Sequence, residues 1–338
     1  MSSGAIVRPE DPGRFASPSG GRADGPRLES VLPWLWTAAA LFIVAVPVGG
    51  LVWRSLWVTD TGGIGLDNYI TIATQPGIWQ AVLNSVWVGL ATTAASLLIG
   101  VPFAFLVSRT DIPGRRLFRA VAVLTFAAPS FIAALGWILL LGPRGGFLNE
   151  YVFAPLGLPR LSIFGAGGIV LVLTFFLYPL VFLPVTDALD NMDPRLEEAA
   201  DSLGATRWHT LRSVTLPLVV PPMFSGSLIV FISSFIIFGP VALLGDPVGF
   251  ETIPTALLKL MAFPPRIELA AVLGLPVLIV IGGLLILQRR IYGRRRYTTL
   301  AGQPGRRRIT TLGAWRWPAW LFGIAITMVS LVLPFGVL

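Results

Sequence analysis

Cysteine is absent from the 338 residues, which excludes disulfides, thiolate metal sites and cysteine nucleophiles. Histidine occurs once, at His209, so no zinc site can be built on two histidines. A hydrolase triad would have to use that one imidazole, and no nucleophile-elbow motif lies near it. Lysine also occurs once. Lys259 sits in L-L-K-L, not in G-x-x-x-x-G-K-[ST], so the sequence offers no Walker A loop for nucleotide phosphates. Charged side chains make up only 12%, against roughly 25% in ordinary soluble domains. These absences argue against an enzyme and against a water-soluble core.

What is abundant is apolar surface. Hydrophobic residues account for 54% and mean hydropathy is +0.78. The fold class expected is an all-α polytopic membrane protein. The net charge of +8 does not point to nucleic acid, because 24 of the 25 basic residues are arginines that fall mostly between apolar runs, as in membrane loops.

A helix needs about 20 apolar residues to cross a hydrocarbon core roughly 30 Å thick. Seven candidate spans are expected, over residues 31–53, 81–107, 119–142, 166–188, 214–244, 268–288 and 314–338. Pro129, Pro179, Pro184, Pro221, Pro222 and Pro276 fall inside them, where neighbouring helices can tolerate a kink. With the N-terminus in the cytoplasm, the inner segments and their flanks hold 20 of the 25 basic residues. Trp34, Trp36, Trp53 and Trp57 bracket the first span, and Trp315, Trp317 and Trp320 open the seventh, as interfacial belts would. Residues 1–30 are rich in Gly, Pro, Ser and Arg and read as a disordered cytoplasmic tail. Residues 31–290 form a unit of six spans, 291–313 a basic cytoplasmic linker, and 314–338 a further span. P-V-G-G-L at 47–51 is echoed by P-F-G-V-L at 334–338. The echo is either chance or the start of a second copy of the unit, broken off early.

The most informative polar segment is 189–217. Asp193 can cap a helix, Pro194 suits its first position, and Gly204 can end it in a left-handed conformation. Leu196, Ala199, Ala200 and Leu203 share one face. A second short helix can begin near Thr206 and carry Trp208 and Leu211. This hairpin could rest on the lipid surface or dock a partner. Glu197, Glu198 and Asp201 oppose an anionic membrane surface and favour docking.

The segment resembles the E-A-A loop of ABC importer permeases, whose pattern is E-A-A, three residues, G, nine residues, I-x-L-P. Here it reads Glu198, Ala199, Ala200, then Gly204, then Val214, Leu216 and Pro217, with Val in place of Ile. L-D-N-Y-I through L-N-S (66–85) and G-V-P-F-A-F-L-V-S-R-T-D-I-P-G-R-R (100–116) are similar to the start and end of that family's core bundle. The stretch F-G-P-V-A-L-L-G-D-P-V-G-F-E-T-I-P-T-A-L-L-K (238–259) is similar to ferric-iron uptake permeases, which commonly fuse two halves in one chain.

The resemblance implies a type I ABC importer permease fold, a six-helix unit plus the first helix of a second. It implies a cytoplasmic coupling loop gripped by an ABC ATPase dimer that uses ATP, no cofactor or metal held by this chain, and no catalysis. A periplasmic or lipoprotein binding protein and a second permease half, fused or separate, are the other implied partners, in the bilayer of a bacterial inner membrane. Ferric iron is the implied substrate, with thiamine, polyamine, phosphonate or sulfate as alternatives. Polar side chains inside spans are candidates to line a pathway: Asn84, Ser85, Thr92, Ser96, Ser130, Thr174, Tyr178, Ser233 and Ser234. Asp187 and Asp190 read as solvated or loop-ordering. An ion-driven transporter would need ionisable groups at span centres, and a scaffold would need no ATPase. A topology reporter placed beside Trp208 is expected to read cytoplasmic, and an exterior signal would remove the coupling loop from any ATPase.

Overall fold

The computed structural model describes residues 28–59, 62–294 and 309–338. The expected tail lies outside them up to residue 27, as does 295–308 of the expected linker. α1 (Leu28–Leu56) is long and apolar enough to cross a membrane, and up to Gly50 it belongs to a unit of its own that exposes Trp34, Trp36, Leu41 and Phe42.

From Leu51 onward the chain forms a second unit. The end of α1 leads into an antiparallel pair, β1 (Trp57–Val58) and β2 (Gly63–Ile64), with Trp57 opposite Ile64. In α2 (Asp67–Thr74), the Asn68 amide donates to the carbonyls of Ser55 and Trp57 at 3.1 and 2.8 Å and pins the turn.

α3 (Pro76–Arg109) is the axis of the bundle. Its 34 residues reach about 51 Å at 1.5 Å per residue, well beyond an apolar core of roughly 30 Å. Its buried face carries small groups, among them Gly89, Thr92, Ser96, Gly100 and Ala104. Lipid tails are as apolar as leucine, so helices there associate through fit rather than dehydration, and small residues let backbones approach. A Cβ at Gly89 would lie 2.9 Å from the Phe231 ring, and one at Gly100 3.2 Å from the Tyr178 carbonyl. Around Phe103, which stacks on Phe182 at 4.8 Å and meets Phe118 edge-on at 5.6 Å, lies the main core.

Four elements depart from straight spans. The expected single crossing at 119–142 is instead α4 (Arg115–Ala127) and α5 (Ser130–Leu141), bent by 100°. Pro129 cannot donate to the preceding turn and forces Ala128 into extended backbone at ψ 149°. α6 (Ala166–Leu177) and α7 (Pro179–Asp190) make one 25-residue span that runs through Tyr178, whose backbone stays helical ahead of Pro179. The expected crossing at 214–244 is also corrected. α10 (Leu216–Ile236) ends where Ile237 turns extended. The chain then enters α11 (Gly239–Gly245), which runs on to Val248 and makes a pair with α12 (Ile253–Met261), bent by 82°. The described residues thus hold six spanning helices, or eight crossings if each bent pair counts as one, against seven expected.

α13 (Ile267–Arg294) is a regular span. The last one, α14 (Arg316–Thr327) and α15 (Leu333–Gly336), is joined by a wide π turn over Met328–Val332 and packs on α4 and α5. Gly323 lies under the Phe118 ring, and Gly136 of α5 meets the backbone of Pro334. A Cβ at Gly136 would fall 1.8 Å from the Pro334 carbonyl oxygen, whereas one at Gly274 of α13 would meet nothing within 4 Å. Gly136→Ala is therefore expected to destabilise the folded chain by about 1–3 kcal/mol, as overpacking does, and Gly274→Ala to leave the unfolding temperature in detergent unchanged.

Candidate functional site

The segment after α7 folds as two short helices, α8 (Pro194–Ser202) and α9 (Arg207–Thr210). Asp193 caps α8 by accepting from the Arg195 amide at 2.9 Å, and Pro194 takes the first helical position, where no donor is needed. Gly204, at φ 77°, ends it. Its amide donates to the Asp201 carbonyl and that of Ala205 to Ala200, the paired bonds of a Schellman turn. The Thr206 hydroxyl then accepts from the His209 amide at 3.3 Å. A π turn over Leu211–Thr215 carries α9 directly into α10, so Arg207–Ile236 is one helical run of 30 residues.

The apolar stripe of this hairpin faces outward. Leu196 is 46% exposed, Leu203 88% and Trp208 69%, while Ala199 is exposed and Ala200 half-buried beside them. Glu198, Leu216 and Pro217 are exposed and Val214 is half-buried. Trp208, Leu211, Arg212 and Leu216 border a nearly apolar cleft of about 260 Å³ with Phe105 of α3.

The inward side is held by a charge. Glu197 is only 7% exposed. One of its carboxylate oxygens is 3.2 Å from Nη1 of Arg109, at the end of α3, and the other accepts from the Thr215 hydroxyl at 3.0 Å. Arg109 Nη2 also lies 3.0 Å from the Met192 sulfur. Removing one partner of a buried pair leaves an uncompensated charge, which costs about 3–5 kcal/mol. A second pair, Arg119–Asp190 at 2.6 Å, ties α4 to the end of α7. Of the two expected roles for Asp190, solvated or loop-ordering, this pair fits the second. At the same end, the Thr310 amide donates to the Arg109 carbonyl at 2.8 Å and the Leu312 amide to Asp111 at 3.0 Å.

The expected pathway residues fall on α3, α5, α6, α10 and the α6–α7 junction. The Asn84 amide donates to the Glu251 carbonyl at 2.7 Å, and the Ser85 hydroxyl accepts from the Ile253 amide at 2.8 Å. Both therefore hold the lead-in to α12. The Ser234 hydroxyl bonds back to the Phe231 carbonyl within α10, and Ser233 is half-buried one residue earlier. Ser130 starts α5 at the 100° bend. Tyr178 is fully buried beside Phe103 and Phe182 at the α6–α7 junction. Thr92, Ser96 and Thr174 are buried, and their hydroxyls have no hydrogen-bond partner among the described residues. No group of three His, Asp or Glu able to hold a metal ion occurs among those residues.

Sequence reasoning missed Glu197 and Arg109 as partners. The available signal was Arg109 itself, a cation closing a long apolar run, which demands an anion nearby.

Residues 96–297 match the family of binding-protein-dependent transport system inner membrane components. The chain belongs to this family. It is a multi-span permease of ABC importers, and its relatives are transport permeases rather than enzymes. The molybdenum transport system permease protein ModB of Escherichia coli K12 is 34% identical over 196 residues, 57% of this chain and 83% of that one. The putative ferric transport system permease protein FbpB 1 of Haemophilus influenzae is 28% identical over 234 residues, covering 69% of this permease but 37% of its own length. The spermidine/putrescine permease PotB of E. coli is 27% identical over 223 residues, 63% and 80% of the two chains. The fold matches a bacterial ABC transporter involved in alginate import with a TM-score of 0.65 at 21% identity, over 79% of this chain and 96% of that chain.

At Gly204 the left-handed backbone costs a residue with a Cβ roughly 1–2 kcal/mol. Gly204→Val is expected to loosen the turn, read as faster hydrogen exchange at the amides of Gly204 and Ala205 with α3 unchanged.

Proposed function

We propose that this chain is the membrane subunit through which a separate ATPase pair drives substrate inward, with the α8–α9 hairpin as the handle. The observation that carries the reading is the exposed apolar stripe of Leu196, Leu203 and Trp208 on a hairpin whose two helices each begin at a side-chain cap. An exposed stripe of this kind, on a segment that buries a carboxylate on its other side, suits a protein groove better than water. The arginines around it support a cytoplasmic position: Arg109, Arg115, Arg116, Arg195, Arg207 and Arg212. ATP is hydrolysed in the partner, and a binding protein presents substrate at the opposite end. The permease supplies two states, inward- and outward-open, whose balance the ATPase shifts by gripping one of them better.

A second permease half completes the pathway. The helix α14–α15, which follows α13 and echoes five residues at the end of the first span, supports a fused second unit. So does the likeness to a ferric permease of which this chain matches little more than a third. Ferric iron is the substrate proposed on that likeness, which reaches across more of this chain than the molybdenum one does. Molybdate is a second reading, favoured by the higher identity to ModB. Reconstituted with its ATPase and binding protein, the permease is expected to take up radiolabelled ferric iron on ATP addition. Uptake of molybdate in its place selects the second reading, and uptake of neither removes both. Trp208→Glu is expected to abolish ATPase retention on purification, and retention equal to the unsubstituted chain would remove the handle.

A further inference from the structure

α8 turns its apolar side chains outward, so what ties it to its own chain is not greasy contact. Its buried side chain is Glu197. One carboxylate oxygen faces Arg109 at the end of α3, and the other accepts a hydrogen bond from the Thr215 hydroxyl just before α10. These two helices are themselves packed at close range, with Phe231 and Ser234 of α10 against Gly89 of α3. An apolar underside could slide under load. A carboxylate shared between a guanidinium and a hydroxyl has one low-energy arrangement, and a displaced one is left charged and poorly solvated.

We propose that Glu197 is a positioning residue for transport: it locks the hairpin to α3 and α10 so that force applied at the hairpin moves both helices as one lever. The residue lies beside the E-A-A stretch and points away from the docking stripe, so it acts inside the permease, not on the ATPase. The lever rests on the reading of the hairpin as the ATPase handle, and the two are separable by experiment.

The chain has no cysteine, so spin labels at Ser202→Cys on the hairpin and Leu98→Cys on the exposed side of α3 are the only ones it carries, and cysteine-free partner subunits keep them unique in the assembly. Distances between them are measured by electron–electron resonance in the assembled importer, nucleotide-free and vanadate-trapped. With Glu197 present, one narrow distribution is expected, unchanged between the two states. Glu197→Gln is expected to retain the ATPase, to broaden or shift that distribution on trapping, and to lower the stimulation of ATP hydrolysis by the binding protein on the order of tenfold. The double change Arg109→Glu with Glu197→Arg is expected to restore the narrow distribution. Thr215→Val, which removes one bond and no charge, is read in the same way and keeps the test open if Glu197→Gln fails to assemble. A role confined to folding would lower the yield but leave assembled molecules with the original distances. Unchanged distances and stimulation in both Glu197→Gln and Thr215→Val overturn the lever. An unsubstituted permease that retains no ATPase overturns the handle instead.

Discussion

Close approach at three glycines governs this bundle, to main-chain atoms at two of them and to the Phe231 ring at the third. Gly89 and Gly100 on α3 and Gly226 on α10 sit where a methyl group would meet a ring or a main-chain atom, the last only 2.6 Å from the Leu180 carbonyl oxygen. In lipid there is no dehydration to drive helices together, so dispersion across a close fit has to do it. α7 and α10 can therefore lie against α3 along most of their lengths. The consequence is stiffness. A helix seated at backbone distance cannot tilt by degrees; it stays seated or moves with its neighbour. That property makes a bundle of this kind able to exist in two arrangements rather than a continuum.

Breaks in the helices raise the opposite problem. Wherever a span is interrupted, backbone groups lose their partners in a medium that offers none. The lead-in to α12 is met by Asn84 and Ser85 of α3, which give the Glu251 carbonyl and the Ile253 amide what a continuous helix would have supplied. The Gly165 amide donates to the Leu244 carbonyl at 2.8 Å, joining the lead-in to α6 with α11. Polar side chains that looked suited to a solute are thus partly engaged in holding irregular backbone in place. This is a common fate for hydroxyls and amides at membrane depth.

Much of the architecture was legible in the sequence, for a definite reason. Apolar runs long enough to span are unambiguous, and the caps at Asp193, Thr206 and Gly204 announce themselves through residue types that few other positions require. The bends were less legible. Pro129 and Pro179 both lie inside apolar runs, yet one bends the chain by 100° and the other leaves a single span. A proline states that a donor is missing but not what packs around the gap. The break at 237–238 stands just before Gly239–Pro240, whose ring nitrogen cannot donate back to the Ile236 carbonyl, yet the angle taken there depends on what surrounds it. Long-range ion pairs were least legible. Arg109 and Glu197 are 88 positions apart, and the local pattern places Glu197 among solvated acids. The pathway residues fared in the same way, because a serine in a span reads alike whether it faces a solute, a backbone amide or its own preceding turn.

The clip between Leu312 and Asp111 joins residues 201 positions apart. Ribosomes extend a chain at about 5–20 residues per second, so the loop after α3 waits roughly 10–40 s for its partner strand to emerge. Water can satisfy those groups meanwhile only because they lie at the wet rim of the bundle and not within its apolar depth. Placing the fastening there allows the helices from α3 to α13 to settle during synthesis before α14 is closed onto them.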